Sequence, residues 1–380
     1  MQFKDIIGQN GIKNKLIQTV KENRVSHAQL FLGPESSGSL ALALAYAQFI
    51  NCENKLMDDS CGECSSCRKY SKIIHPDLHF SFPFFAKKKE ETTLDYLGNW
   101  RAAFLSNPYI SLDYWRQHAD ADNRQANINI AECHQIIKKL SLKPFEAEYK
   151  VLIMWLPEYL AKEGNALLKL LEEPPQKTLF LLVAQNQDQI LTTILSRTQL
   201  VKINKLSNDD LEHYLIHHHR LEERQAKQIA FISDGNLQRA HQLIGENSSN
   251  HFETLRNWLL SCYRDNGLEL VNKVENDFSK MGRENQKSFL LYSINVLREI
   301  LLIKEGLQEI VRLVGAEKVF AEKFADLFSS SQIEAAIELF EGCSYNIERN
   351  ANPKILFLDV SLQLVLIFCY ETLPKGTQYI

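Results

Sequence analysis

Four short apolar runs with helical patterns between them limit this chain more than any other feature: His27–Leu32, Lys150–Trp155, Thr178–Ala184 and Gln199–Ile203. None alternates strictly between apolar and polar, as a strand with one wet face would, so each is expected to be covered on both faces. Apolar strands separated by helices predict a mostly parallel sheet between helical layers. From Leu206 the pattern turns helical throughout. Ser207-Asn-Asp reads as a helix start and Asp234-Gly235 as a stop. Leu255, Trp258, Leu259 and Cys262 keep helical spacing, as do Leu290, Ile294, Leu297 and Leu301. At 380 residues the chain is too long for one core. The expected division is an α/β domain over 1–205, a small helical domain over 206–245 and a larger all-helical domain over 246–380.

Between about 76 and 129 the strand–helix alternation breaks down, and aromatics crowd in: Phe80, Phe82, Phe84, Phe85, Tyr96, Trp100, Phe104, Tyr109, Tyr114 and Trp115. This stretch, with Lys87-Lys88-Lys89, reads as a packed insertion on the first domain. The net charge of −4 argues against a wholesale electrostatic grip on nucleic acid, although a local basic face is compatible with it. The opening MQFKDIIGQN has no apolar run of the signal-peptide kind. Ile355 to Tyr370 is apolar but carries Asp359, Ser361 and Gln363, and falls short of the roughly 18–20 residues of a bilayer span. A buried terminal helix, no membrane and a cytoplasmic location are expected.

Gly33-Pro-Glu-Ser-Ser-Gly38-Ser39-Leu40 follows the first apolar run and opens a helical pattern, the setting of a phosphate-binding loop. The working pattern places a lysine after the second glycine to reach the β- and γ-phosphates, then a hydroxyl residue to bind magnesium. Here Ser39 stands for the lysine and Leu40 for the hydroxyl. The second apolar run should end in acidic residues that hold magnesium, yet it ends in Trp155 and Leu156, with Glu158 displaced past a proline. The expectation is a degenerate nucleotide site without ATP hydrolysis of its own. Two glycines at this spacing are also compatible with ordinary turns.

Four of the eight cysteines are clustered: Cys52, Cys61, Cys64 and Cys67. Two overlapping C-x-x-C steps present thiolates from one turn, and Cys52 can close a tetrahedron from the end of the preceding helix. Four thiolates with no open position describe a structural zinc site. An iron–sulfur cluster and unliganded thiols are the alternatives. Cys133, Cys262, Cys343 and Cys369 stand singly and read as packing residues.

Several strings together resemble bacterial clamp-loader AAA+ subunits. They are Phe3-x-x-Ile-Ile-Gly-Gln9, Ser26-His27-Ala-x-Leu-Phe-Leu-Gly-Pro34, Asn165-Ala-Leu-Leu-Lys-Leu-Leu-Glu-Glu-Pro-Pro175 and Ser196-Arg197-Thr198. The last looks like the family's Ser-Arg-Cys motif with threonine for cysteine. The resemblance covers residues 1 to about 245 and is loose over the insertion. It implies an AAA+ sheet domain with a zinc module at about 52–67, a helical lid and a C-terminal helical collar. It further implies a place in the DNA polymerase III holoenzyme, within a ring of gamma/tau motor and delta subunits that puts a sliding clamp on primed DNA. Within that family intact nucleotide motifs mark the motors, and degenerate ones mark a stator that is not itself an enzyme. The stator lends a neighbour's ATP an arginine, and Arg197 is the matching position. The nucleotide-sensing arginine of the lid would fall at Gln238, with Arg239 one place off. The rival readings are an ATP-hydrolysing motor and a zinc-containing DNA-binding module.

Three other features are read conservatively. His217-His218-His219 cannot share one helical face and is taken as a solvated helix end. Lys138, Lys139 and Lys143 are taken as a solvated face, with phosphate contact as the alternative. Glu172-Glu173 before two prolines is taken as a helix boundary.

Overall fold

Five parallel strands carry the first part of the chain: β1 (Ala28–Leu32), β2 (Leu78–Ser81), β3 (Lys150–Trp155), β4 (Thr178–Ala184) and β5 (Gln199–Lys202). They lie in the order β2-β3-β4-β1-β5. The computed structural model describes residues 1–119, 121, 124–245, 251–313, 315–349 and 351–370. Two compact units result, residues 1–241 and 242–380. The expected α/β sheet with an all-helical C-terminal region is the observed fold class.

β3 and β4 are buried along their whole length, as their unbroken apolar runs require. Successive side chains go to opposite faces. Phe31, Val151, Ile153, Leu179, Leu181 and Val183 therefore meet helix Ser39–Ile50 and the aromatic stretch. Leu30, Leu152, Met154, Phe180 and Leu182 meet Cys133, Ile136, Leu140, Leu167 and Leu171 on the other side. All twelve residues of Ser39–Ile50 are buried, so its Ala/Leu composition fits a helix with protein on every side.

The stretch expected to be a patternless insertion begins with a sheet strand, β2, paired with β3 in register Leu78 to Val151. Its aromatics are packed: the Phe82 ring stacks on Trp100 at 4.1 Å, and Trp100 lies 5.1 Å from Trp155 at the end of β3. The helical pattern expected between β3 and β4 is broken. A 3₁₀ stretch, Pro157–Leu167, holds Ala161 at φ 44° before helix Leu168–Glu172 takes over.

The second unit is built around Trp258, whose ring lies 4.7 Å from Phe278, 5.3 Å from Phe340 and 5.8 Å from Phe357. Its indole N–H donates to Ser361 Oγ at 2.9 Å. That bond explains the serine inside the apolar terminal run, since a buried indole N–H needs an acceptor. Among the described residues, helix Pro353–Tyr370 is the one long and apolar enough to cross a membrane, and Phe357, Val360, Leu364, Ile367 and Phe368 of it are buried in the protein.

Candidate functional site

Gly33 and Gly38 bracket the loop between β1 and helix Ser39–Ile50. Gly38 adopts φ 88° and caps the helix that begins at Ser39, so the chain turns straight into a helix N-terminus. A side chain at Gly38 would be strained by this backbone and would strike the Tyr109 ring at 2.8 Å. Gly33, Gly38, Ser39, Leu40 and Trp155 line one small space, with Tyr109 among them. Ser39 Oγ lies 2.8 Å from Ser37 Oγ, and Leu40 is buried. Leu156, just past Trp155, is also buried, and its N–H donates to Val183 O at 2.8 Å. The positions that would carry lysine, magnesium-binding hydroxyl and acidic groups are thus together in space, occupied by other chemistries.

Gln9 ties the N-terminal segment to this loop: its Nε2 donates to Ser37 O at 3.3 Å and to Asn204 O at 2.6 Å. Glu158 is not aimed at a metal here. One carboxylate oxygen accepts the N–H groups of Gln185 and Asn186 at 2.6 and 2.8 Å, bracing the turn after β4. Burial pushes its carboxyl pKa up, against those backbone bonds.

The four clustered cysteines converge. Their Sγ atoms all lie within 4.8 Å of one another, with Cys52 to Cys61 at 3.6 Å and Cys61 to Cys67 at 3.9 Å. A tetrahedral zinc with bonds of about 2.3 Å would space its sulfurs by about 3.8 Å. Backbone N–H groups already point at the sulfurs: Cys61 N to Cys52, Cys64 N to Cys61 and Cys67 N to Cys64, at 3.3, 3.3 and 3.4 Å. The Cys64 N–H, foremost, brings the Cys61 thiol down to about 7, toward the thiolate that a metal takes. The cluster could bind zinc. Its loop also grips the start of the chain: Asp59 accepts the N–H groups of Phe3 and Lys4, both at 3.0 Å.

Arg197 lies well away from these groups. The strands are parallel and Leu32 pairs with Lys202, so the phosphate loop is at the C-terminal end of the sheet and Arg197, before β5, is at the other. About six residues of extended chain separate Arg197 from Ile203 beside Gly33, roughly 20 Å at about 3.3 Å per residue. Arg197 Nε donates to Glu172 Oε1 at 2.7 Å and its Nη1 to Thr193 O at 2.7 Å. Ser196 Oγ accepts from the same Nη1 at 3.1 Å, and Thr198 Oγ1 donates to Leu195 O at 3.0 Å. Glu172, read from sequence as a helix boundary, is thus also the acidic partner of Arg197. No sequence spacing announced that pair.

His217, His218 and His219 are exposed at the end of helix Asn208–His219, the solvated helix end expected, and two of them also border a cavity. His217 and His218, with His213, Tyr214 and His241, line a cavity of about 580 Å³ beside Ile7, Gly8 and Tyr109. The His213 and His217 rings are 4.1 Å apart, one helical turn along the same face. Burial lowers the pKa of His241 and of His219.

A family model described as DNA polymerase III, delta subunit, matches residues 8–207. The tau subunit of DNA polymerase III from Bacillus subtilis is 22% identical over 94% of this chain and 60% of its own length. The tau subunit from Escherichia coli is 28% identical over 64% of this chain and 32% of its own, so the chain spans less than two thirds of the length of both relatives. The gamma subunit from Buchnera aphidicola (Schizaphis graminum) is 25% identical over 80% of this chain and 78% of its own. A gamma subunit-related protein from Thermotoga maritima covers 93% of this chain and 99% of its own at 16% identity, with a TM-score of 0.34.

These names overturn one expectation. The altered loop pointed to a chain that is not an enzyme, yet the relatives are tau and gamma subunits, the type that the resemblance equates with the ATP-hydrolysing motor. The physical reason the inference fails lies in the backbone. Gly38 and the helix N-terminus after it are present whatever the two side chains are, and free N–H groups at a helix start favour an anion, so the altered side chains alone do not decide the matter. The expectation of a non-enzyme is withdrawn.

Proposed function

The chain belongs to the DNA polymerase III delta subunit family, and from that membership we propose that it is a clamp-loader subunit of the polymerase holoenzyme, acting in replication in the bacterial cytoplasm. More finely, we propose the delta prime position in the ring. There it scaffolds neighbouring gamma/tau motor and delta subunits and lends Arg197 to the ATP of the adjacent motor while the assembly sets a sliding clamp on primed DNA. The four thiolates of Cys52, Cys61, Cys64 and Cys67 hold one structural zinc in this reading. The expected organisation is a sheet domain over 1–205, a lid over 206–245 and a collar over 246–380.

The observation that carries the reading is the position of Arg197, at the far end of the sheet from the chain's own phosphate loop. An arginine there has no route to its own site and is available to a neighbour. Its pairing with Glu172 supports the same role. Both side chains are partly exposed, at 33% and 46%, and such pairs contribute about 0–1 kcal/mol, so a phosphate can take the guanidinium at little cost. The planar fork of donors then matches phosphate oxygens.

A second reading, a motor subunit, is favoured by the tau and gamma names of the relatives. Reconstitution separates the two. A ring in which this chain replaces delta prime should assemble and load clamps on primed DNA, whereas one in which it replaces the motor should not. The opposite pattern would establish the motor reading. Failure to co-assemble in either place would remove the clamp-loader proposal.

A further inference from the structure

The space a triphosphate would need at the loop is already taken by the chain itself. About 20 Å³ remains among Gly33, Ser36, Gly38, Ser39 and Tyr109, room for roughly one water. The filling segment is Asn107-Pro108-Tyr109-Ile110, from the aromatic stretch. Tyr109 is 7% exposed, and its ring packs so closely on Gly38 that a Cβ there would sit 2.8 Å from it.

Three bonds hold this strap, each to a different element. Ser36 Oγ, in the phosphate loop, donates to Tyr109 O at 3.0 Å. The Ile7 N–H, in the N-terminal segment, donates to the Tyr109 hydroxyl at 2.8 Å. Asn107 Nδ2 donates to Gln238 Oε1, on helix Leu237–Gly245. Asn107 Oδ1 also accepts the Tyr109 N–H at 3.0 Å, so the residue latched to Gln238 is the one that fixes the tyrosine.

The strap also has somewhere to go. Asn107, Pro108 and Tyr109 line the neighbouring cavity of about 580 Å³, together with Tyr214, His217 and His241. A segment with a filled slot on one side and an open cavity on the other has two positions available to it.

We propose that Asn107–Ile110 is an intramolecular gate on the phosphate loop, shut by Tyr109 and latched to the lid helix through Asn107 and Gln238. A nucleotide reaches Gly38 only when the tyrosine swings into the cavity, and movement of the lid helix releases it. The gate goes beyond the role of Arg197 and stands whether or not that arginine serves a neighbour.

The test measures binding of a fluorescent ATP analogue with Mg²⁺ to two full-length chains. Both carry Ser39→Lys and Leu40→Thr, which restore the loop, and one also carries Asn107→Ala and Tyr109→Ala. The gate predicts at least tenfold tighter binding in the chain with the strap released. Equal affinity, or no binding by either, overturns it. A second measurement needs neither nucleotide nor a reshaped core. Gln238→Ala should raise hydrogen exchange at the Ile7 amide at least tenfold, although Gln238 makes its strap contact with Asn107 and not with Ile7. Unchanged exchange at Ile7 would mean the latch does not control the tyrosine.

Discussion

Asp77 is a buried carboxylate, 1% exposed, whose removal has a calculable consequence. Its two oxygens accept three consecutive backbone N–H groups, of Phe145, Glu146 and Ala147, at 2.6, 2.8 and 2.9 Å. They pin the loop that leads into β3 against the start of β2. The Phe145 ring is 82% exposed, so apolar burial contributes little to holding that loop. Hydrogen bonds to a charged group contribute about 1.5–3 kcal/mol each. Three at the low end sum to about 4–5 kcal/mol, and water reaching the freed N–H groups reduces the net cost of Asp77→Ala to about 3 kcal/mol. Asp77→Asn keeps one acceptor and should cost about 2 kcal/mol. The assay is hydrogen exchange of the β3 amides in increasing urea, which reads the opening of this sheet. A cost for Asp77→Ala below about 1 kcal/mol would refute the reasoning, because three bonds to a buried charge cannot be worth so little. The pH dependence is a second signature. Burial alone would raise the carboxyl pKa, but the three donors outweigh it and hold it below the usual range. The stability it supplies is complete above the unfolded pKa and is lost as pH falls through the folded one. Asp77→Asn should remove that acid sensitivity.

His79 should add acid sensitivity of its own. Burial first, then Lys139 and Lys150, bring its pKa down to about 4. The unfolded imidazole takes its proton near 6.5, so stability should hold above that and fall as pH drops from about 6.5 toward 4. His79→Gln should flatten that part of a pH–melting curve, and an unchanged slope would exclude the histidine. For the four-cysteine cluster, elemental analysis should find one zinc per chain, and Cys64→Ser should lose it. Chelation should also raise exchange at the Phe3 and Lys4 amides, which Asp59 of the same loop holds. Iron, or less than half an equivalent of zinc, would overturn the assignment.

β3 and β4 were legible because they are buried on both faces and leave long apolar runs, whereas Gln29 interrupts β1, and β5, expected to be covered on both faces, is largely exposed at the sheet edge. β2 was not: Leu78-His-Phe-Ser is four residues long, has one partner strand and sits among aromatics that mask any pattern. The break at Ala161 leaves no mark, since neither glycine nor proline occupies the strained position. At the site, the cysteine spacing announced the convergence of the four sulfurs. Asp234-Gly235 likewise announced the end of helix Glu223–Ser233, where Asp234 takes φ 44°. Tyr109 was one aromatic among ten, and nothing in its neighbours signals that it lies on Gly38, 71 positions earlier in the chain. Glu172 and Arg197 meet only because the fold brings their two helix ends together. Ser39 and Leu40 were read correctly as residues, but the conclusion drawn from them gave side chains the weight that the backbone of a phosphate loop shares.

The central claim is that Arg197 completes a neighbour's site, and single-turnover ATP hydrolysis by the reconstituted ring tests it most directly. Arg197→Ala should assemble normally and slow hydrolysis at the adjoining motor subunit by roughly 10³–10⁵, the usual worth of such an arginine. Glu172→Ala should leave hydrolysis near the wild-type rate, because the carboxylate only holds the guanidinium at rest. An Arg197→Ala ring that assembles and hydrolyses at the wild-type rate would contradict the account.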